Sequence, residues 1–189
     1  MPGSDNKNYF SEEDLVEHPI SSATKFRGRL LHLKEDKVRL PDGNEAKREY
    51  IVHPGAVAII AVTDDGKIIM ERQYRYPLHQ DFVEIPAGKI DEGEEELVTA
   101  QRELEEETGY VASRWKHLIT THPCIGYSNE RIEFFLAEGL TLKGHHREPG
   151  EFLDVFTLPL PEVLEWIRNG KITDTKTITG LLWYEKFER

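Results

Sequence analysis

Residues 88–110 read GKIDEGEEELVTAQRELEEETGY, and this stretch decides the fold and the chemistry that we expect of the 189-residue chain. It holds nine acidic and two basic residues, so it carries most of the formal net charge of -11. Leu97, Ala100 and Leu104 recur at helical spacing and can pack on a sheet. Gly109 stands where a glycine commonly ends a helix. The pattern therefore predicts a helix over residues 94–108.

Next to the apolar face of this predicted helix lies a dense group of carboxylates. At about 100° per residue, Glu103, Glu106 and Glu107 fall within an arc of about 100°. Like charges four residues apart destabilise an isolated helix by roughly 0.2–0.5 kcal/mol per pair, so a purely structural helix would favour lysines among them. Clustered carboxylates suit hard divalent cations such as Mg²⁺ or Mn²⁺. The spacing leaves two interpretations open, a solvated acidic helix and a metal platform.

The same stretch resembles the Nudix signature G-x₅-E-x₇-R-E-U-x-E-E-x-G-U, in which U is a bulky apolar residue. The chain matches its seven fixed identities and its first apolar position, whereas Tyr110 replaces the usual aliphatic residue at the last position. The matching residues are Gly88, Glu94, Arg102, Glu103, Leu104, Glu106, Glu107 and Gly109. The resemblance implies a Nudix α/β/α sandwich with a mixed sheet, of the α/β or α+β class, and a metal-dependent pyrophosphohydrolase.

The resemblance also implies a set of metal ligands. Glu103 and Glu107 would be the main ligands, with Glu106 as a third. The backbone carbonyl of Ala87 would be a further ligand. The implied cofactor is Mg²⁺ or Mn²⁺, with two or more ions bound, and the ions would supply the positive charge that this acidic chain lacks.

Other matching residues would support the site. Arg102 resembles the family arginine that pairs with a carboxylate of the signature and orients it, a role beside the chemistry. Glu94 fits the family glutamate that supports the loop before the helix. Gly88 would let the backbone turn beside the metals, and Gly109 would only cap the helix.

The flanking sequence resembles ADP-ribose pyrophosphatases. By that resemblance, Arg75 would hold a substrate phosphate or the terminal ribose, although a strand-end salt bridge is an equal alternative. Glu84 would add a carboxylate beside the metals, and Arg48 would lie near the substrate or a dimer interface. Gly126, in the loop after the signature, is a further candidate for substrate binding. The stretches that carry the resemblance are residues 48–57, 71–75, 84–91 and 126–130.

The general base has two candidates. Residues 148–155 read EPGEFLDV and resemble the loop that carries the base in ADP-ribose pyrophosphatases, with Glu151 in the matching place. Glu106 on the predicted helix is the competing base. A positioned base would take a proton from the attacking water, and the products would be AMP and ribose 5-phosphate.

Composition excludes several classes of partner. An acidic chain is poorly suited to a long polyanion, because nucleic-acid binding relies on lysine and arginine. The longest apolar run, residues 55–62, is too short to span a bilayer, so we expect no membrane partner. With Cys124 as its one cysteine and no signal-peptide pattern at its start, the chain fits the reducing cytoplasm, where we expect it.

The chain is expected to divide into an N-terminal strand segment, residues 1–52, and a Nudix domain, residues 53–189. The strands of residues 11–52 are too few and too short to be stable alone, which predicts a homodimer with this segment, a small antiparallel sheet, at the interface. Strands are predicted at residues 26–33, 37–40, 45–52, 55–62, 67–74, 132–137 and 151–158, and further helices at 161–169 and 173–187.

Three alternatives to ADP-ribose hydrolysis stay open. Another nucleotide sugar or a dinucleotide would use the same metals. A non-catalytic Nudix module that binds ADP-ribose is a different class, although such proteins often lose glutamates of the signature, which are intact here. An oxidised-nucleotide hydrolase is the third, but such chains are usually shorter and lack an N-terminal extension.

Overall fold

The computed structural model describes residues 15–144 and 152–189. The chain forms two compact units, the first ending at Val52 and the second beginning at His53. The first unit contains an antiparallel sheet of three strands in the order β1-β2-β3. Its strands are β1 (His18–Arg27), β2 (His32–Arg39) and β3 (Glu45–Ile51).

One strand prediction in the first unit is wrong. Residues 26–33 do not form a single strand, because the chain turns between β1 and β2. The N–H of Gly28 donates to the Leu31 carbonyl at 2.8 Å and closes this turn. The two ends of the predicted strand therefore pair with each other, Phe26 opposite Leu33. The small antiparallel sheet itself is confirmed.

The second unit contains two sheets within residues 53–144 and 152–189. One is mixed, with the order β7-β4-β9-β8, because β4 runs parallel to β9 while the other pairs are antiparallel. The other is antiparallel, with the order β10-β5-β6. The strands are β4 (Ala56–Ala61), β5 (Lys67–Arg75), β6 (Gln80–Glu84), β7 (Ala87–Lys89), β8 (Tyr110–Thr121), β9 (Ile132–Leu142) and β10 (Leu153–Pro159).

Among the described residues of this unit, the α-helices are α1 (Glu96–Glu103), α2 (Leu160–Arg168) and α3 (Thr175–Phe187). The predicted helix over residues 94–108 is present, but it begins at Glu96 and ends in a π-helical turn, Leu104–Thr108. Gly109, with φ of 76°, ends the turn as predicted. Such π turns are rare and occur frequently at functional sites. The acidic residues 105–107 lie in this widened turn rather than in regular α-helix.

Strand β4 lies at the centre of the second unit. Alternate residues of its continuous apolar run point to opposite faces, and both faces are buried. Val57 and Ile59 pack with Ala100 of α1. On the opposite face, Ile60 packs in a cluster with residues of α2 and α3, including Val163, Leu181 and the neighbouring Ile172. Helices therefore cover both sides of the sheet, which confirms the α/β/α sandwich.

Candidate functional site

The segment that joins β6 to β7 is fixed from two sides. The backbone N–H of Ile59 in β4 donates to the carbonyl of Pro86 at 2.8 Å. The N–H of Ala87 donates to Oε2 of Glu107 at 3.1 Å. Glu107 is buried, with 5% of its surface exposed. The π-helical turn therefore delivers a buried carboxylate directly to the backbone of Ala87.

A second carboxylate reaches the same backbone. A Cβ atom placed on Gly88 would stand 1.9 Å from both Cδ and Oε1 of Glu103, which is far inside van der Waals contact. The Glu103 carboxylate therefore occupies the space that any side chain at residue 88 would fill. Glycine is required at residue 88 because the Glu103 carboxylate approaches its Cα closely. The requirement does not come from backbone conformation, since the φ of Gly88 is not in the left-handed region.

Arg102 links three carboxylates of the signature. Its Nη2 donates to Glu94 at 2.9 Å, and its Nη1 donates to Glu103 at 2.9 Å and to Glu106 at 3.1 Å. The hydrogen bond from Arg102, together with one from Thr99, lowers the pKa of Glu94 to about 2. In turn, the hydrogen bond with Glu94 raises the pKa of Arg102. Arg102 thus restrains the glutamates and contributes charge to an otherwise acidic surface.

The donor set at this point suits a divalent cation. Two carboxylates, those of Glu103 and Glu107, meet the backbone of Ala87 and Gly88, and hard cations prefer such oxygen ligands. The Glu106 side chain is directed to Arg102 instead. Across residues 15–144 and 152–189, no group of three His, Cys, Asp or Glu side chains converges closely enough to hold an ion alone. A backbone carbonyl, such as that of Ala87, would have to complete the set.

A buried ion-pair group borders this segment on the other side. Glu84 is 4% exposed, and its carboxylate accepts from Nε and Nη2 of Arg75, each at 2.7 Å. The ammonium of Lys176, in the first turn of α3, also donates to Glu84. Burial raises the pKa of Glu84, but hydrogen bonds and charges from Arg75 and Lys176 bring it below its ordinary value.

Arg75 connects this ion-pair group to the acidic turn, which is the π-helical turn Leu104–Thr108 together with Glu103 just before it. Its hydrogen bonds with Glu84 raise its pKa, and the nearby charges of Glu84, Glu107 and Asp174 add to that increase. The salt bridge that the sequence left as an alternative role for Arg75 is therefore formed, with Glu84. An open cavity of about 320 Å³ lies beside the pair, lined by Arg75, Leu78, Phe82, Glu84 and residues 173–176.

Three further candidates are Arg48, Gly126 and Glu151. Arg48 belongs to the N-terminal unit, where its Nε donates to Glu17 at 2.9 Å. Gly126 lies in an exposed loop, and a Cβ atom added to it would meet nothing within 4 Å. Glu151 lies outside the described residues.

Several residues at the site were missed by the sequence analysis. Lys176, Asp174 and Thr177 lie at the start of α3, and Glu71 is a buried carboxylate directly opposite Glu84 in the β5–β6 pair. The side chain of Asp174 caps α3 by accepting from the Thr177 N–H at 3.0 Å. Asp is a preferred N-cap residue, so it can mark a helix start in the sequence, but only the fold brings it beside Glu84.

Residues 52–178 of the chain match the NUDIX domain family, about two thirds of its length. The chain belongs to the Nudix family. Residues 13–51 of this Nudix protein match a second family, described as the nucleoside diphosphate sugar hydrolase N-terminal domain. Divalent-metal dependence is general among Nudix hydrolases, in agreement with the donor set around Ala87.

Curated relatives resemble the Nudix protein over most of its length. The ADP-ribose pyrophosphatase of Bacillus subtilis is 42% identical and the match covers 92% of this chain and 95% of that one. The ADP-ribose pyrophosphatase of Mycobacterium tuberculosis is 38% identical, with coverage of 89% and 84%. The methanol dehydrogenase activator of Bacillus methanolicus is 43% identical, with coverage of 89% and 92%.

A solved structure shares the fold. The crystal structure of an ADP compounds hydrolase superposes with a TM-score of 0.82, covering 90% of this chain and 93% of that one at 21% identity. That match supports the α/β/α architecture described above. Within the described part of the Nudix protein, none of the helices has the length and apolar character needed to cross a bilayer.

Proposed function

We propose that this Nudix protein hydrolyses the diphosphate of ADP-ribose to AMP and ribose 5-phosphate. The observation that carries the proposal is the 42% identity to an ADP-ribose pyrophosphatase over 92% of the chain. The acidic turn agrees with it, because Glu103 and Glu107 meet the backbone at Ala87 and Gly88. A diphosphate is negatively charged, so a cation site and an arginine both suit it, and Arg75 lies close enough to Glu107 for their charges to interact.

Mg²⁺ or Mn²⁺, with two or more ions, is the proposed cofactor. Glu103, Glu107 and the Ala87 carbonyl would hold it, with Glu106 completing the set if its side chain leaves Arg102. When bound, the ions supply positive charge to the phosphate oxygens and activate the attacking water. Arg102 orients Glu103 by donating to it, and the hydrogen bond between the Ala87 N–H and Glu107 fixes the ligand geometry before the ions bind.

The proton from the attacking water goes to a carboxylate. We assign this role to Glu151, with Glu106 as the competing candidate. Support for Glu151 comes from the sequence around it, which resembles the base-bearing loop of ADP-ribose pyrophosphatases. A base positioned on the water typically contributes about 10²- to 10⁴-fold to the rate.

Substrate binding is assigned to Arg75, Glu84, Arg48 and Gly126. Arg75 is the best supported, because 43% of its side chain is exposed although Glu84 fixes its orientation. Its guanidinium can therefore turn its open face to a phosphate while it keeps both bonds to Glu84. Glu84 is buried between two cations, so it acts on the substrate through them.

The N-terminal unit, residues 1–52, is assigned to a homodimer interface, and residues 53–189 to catalysis. Within residues 15–52, Val38 is the one hydrophobic side chain that is buried. Exposed apolar side chains in this unit favour a partner of the same chain. They are Leu15, Val16, Ile20, Phe26, Leu30 and Leu31. The cytoplasm is the proposed compartment, since a single cysteine suits a reducing environment.

A panel of nucleoside diphosphate compounds tests the substrate. Purified protein with Mg²⁺ is given ADP-ribose, ADP-glucose, GDP-mannose and dinucleotides, and the monophosphate products are measured by phosphate release with added phosphatase. ADP-ribose should have the highest kcat/KM, and chelation of the metal should abolish turnover. A kcat/KM for ADP-ribose below that of another compound would transfer the assignment to that compound.

The second candidate is a Nudix pyrophosphatase for a dinucleotide or another nucleotide sugar. The relative with 43% identity is described as a methanol dehydrogenase activator, so a similar sequence is associated with a different activity. A non-catalytic module is less favoured, because Glu103, Glu106 and Glu107 are all present. The same panel decides among these candidates.

A further inference from the structure

Four charged side chains meet at the start of α3. Arg75 and Lys176 are the cations, and Glu84 and Asp174 are the carboxylates, so their formal charges balance. Lys176 bridges the carboxylates, since its Nζ donates to Glu84 and also to Asp174 at 3.0 Å. Its side chain is 16% exposed, whereas that of Arg75 is 43% exposed. The group therefore has a buried end at Lys176 and an open end at Arg75.

The helix end that carries Lys176 is rigidly joined to the site. Thr177, which is fully buried, donates its hydroxyl to Asp174 at 2.6 Å. The same hydroxyl accepts from the N–H of Ile85 at 2.9 Å. Ile85 is two residues before Ala87, whose N–H binds Glu107. Lys176 is thus held in a fixed place relative to the backbone that the acidic turn contacts.

The placement of these charges indicates how Lys176 affects anion binding at Arg75. The four charges sum to zero, but they are unevenly placed, with Lys176 and Asp174 toward the buried end and Arg75 at the open end. Lys176 offsets part of the negative charge of Glu84, so the exposed guanidinium of Arg75 attracts an anion more strongly than it would without Lys176. Without Lys176, the remaining group would be one cation and two carboxylates, and it would repel a diphosphate.

We infer that Lys176 is a positioning residue that acts through Glu84 to keep Arg75 oriented and electropositive for the substrate diphosphate. This inference rests on the proposed function, because it assumes an anionic diphosphate at Arg75. Lys176 donates to Glu84 and Asp174, so its effect is expected on substrate binding at Arg75 rather than on the chemical step.

The test compares Lys176→Met with Lys176→Arg and a control. The methionine variant keeps an apolar stem and loses the charge, whereas arginine restores the charge. Lys116→Met is the control, because Lys116 is an exposed lysine that pairs with a different carboxylate, Glu188. Each protein is titrated by calorimetry with α,β-methylene-ADP-ribose, which cannot be hydrolysed at the bridge, and kcat and KM are measured with ADP-ribose.

Lys176→Met should raise both the Kd for the analogue and the KM for ADP-ribose about tenfold, equivalent to about 1.4 kcal/mol. Its kcat should fall less than about threefold, because the variant loses ground-state binding. Lys176→Arg should restore most of the affinity, and Lys116→Met should match the wild type. If Lys176→Met does not fold, Lys176→Gln, which keeps a hydrogen-bond donor for Glu84, is measured in its place.

A double-mutant cycle distinguishes action through Arg75 from a general structural effect. In an Arg75→Met background, removing the Lys176 charge should change Kd less than about twofold, because coupled residues are not additive. The inference would be overturned if removing the Lys176 charge changed Kd as much in the Arg75→Met background as in the wild type, or if Lys176→Met left Kd unchanged. Neither result would affect the proposed function. A wild-type protein that neither binds the analogue nor hydrolyses ADP-ribose would overturn the proposed function, and the inference with it.

Discussion

The carboxylate of Glu103 lies against the Cα atom of Gly88, where a Cβ atom would be 1.9 Å from its Cδ. The relationship joins the N-terminal end of the signature to its helix. It also explains why residue 88 has to lack a side chain, since any Cβ would expel the carboxylate from its place beside Ala87.

Gly88→Ala should therefore displace Glu103 and weaken metal binding at least about tenfold, within the range seen when ligand-orienting contacts are lost. Mn²⁺ titration by calorimetry or paramagnetic resonance measures this affinity. Gly66→Ala is the control, because it strains a turn with φ of 77° where a Cβ would meet nothing within 4 Å. It should lower Tm and keep the Mn²⁺ affinity. Equal Mn²⁺ affinity in Gly88→Ala and the wild type would refute the close-approach argument.

Acid should weaken the fold partly through Glu94. Its pKa in the folded protein is about 2, below the ordinary carboxyl value, because Arg102 and Thr99 donate to it. A lowered pKa contributes stability that is complete above the ordinary value and is lost as the pH falls toward 2. In urea unfolding between pH 6 and about pH 2.5, Glu94→Gln should lose less stability than the wild type. Parallel pH profiles for the two proteins would count against this role.

Several elements of the fold could be predicted from the sequence because they depend on local residue patterns. The helix over residues 94–108 follows from apolar spacing and the terminal Gly109, and the buried strand β4 follows from a continuous apolar run. Glu103, Glu106 and Glu107 share the C-terminal end of this helix, so their proximity is a consequence of sequence spacing alone. The π-helical turn was not predicted, because regular α-helix was assumed to the end of the segment.

The rest of the site depends on long-range packing. Lys176 and Glu84 are far apart in the sequence, and only the packing of α3 against the end of β6 brings them together. The turn at Gly28 was missed for a different reason, since residues on both sides of it favour strand and gave no strong break. Arg75 looked equally suited to a salt bridge and to substrate, and the structure shows the salt bridge with Glu84.

The two candidates for the base differ in what their loss should do. Glu151→Gln should lower kcat strongly with little change in KM or in metal affinity, because a base acts in the transition state. Glu106→Gln should weaken metal binding along with the rate. The measurement is kcat for both variants at several Mg²⁺ concentrations. If Glu151→Gln retains more than about a tenth of the wild-type kcat, the loss is smaller than a general base typically contributes. Glu106 would then be the favoured base.

The N-terminal sheet should mediate dimer formation. Light scattering at working concentration should give twice the 21.9 kDa chain mass. Replacing two exposed apolar side chains, Ile20→Lys and Phe26→Lys, should shift the mass toward the monomer, since charges are disfavoured in the core of an interface. A fully active monomer of the wild-type protein would exclude this assembly.

The central claim is that the acidic turn after α1 is a metal platform for diphosphate hydrolysis, and Glu107 tests it most directly. Glu107→Gln keeps the size of the side chain and an oxygen that can accept from the Ala87 N–H, so the fold should remain. The measurement is kcat on ADP-ribose at saturating Mg²⁺. We expect a loss of at least about a hundredfold, or roughly 3 kcal/mol at the barrier. Turnover near that of the wild type would contradict the account.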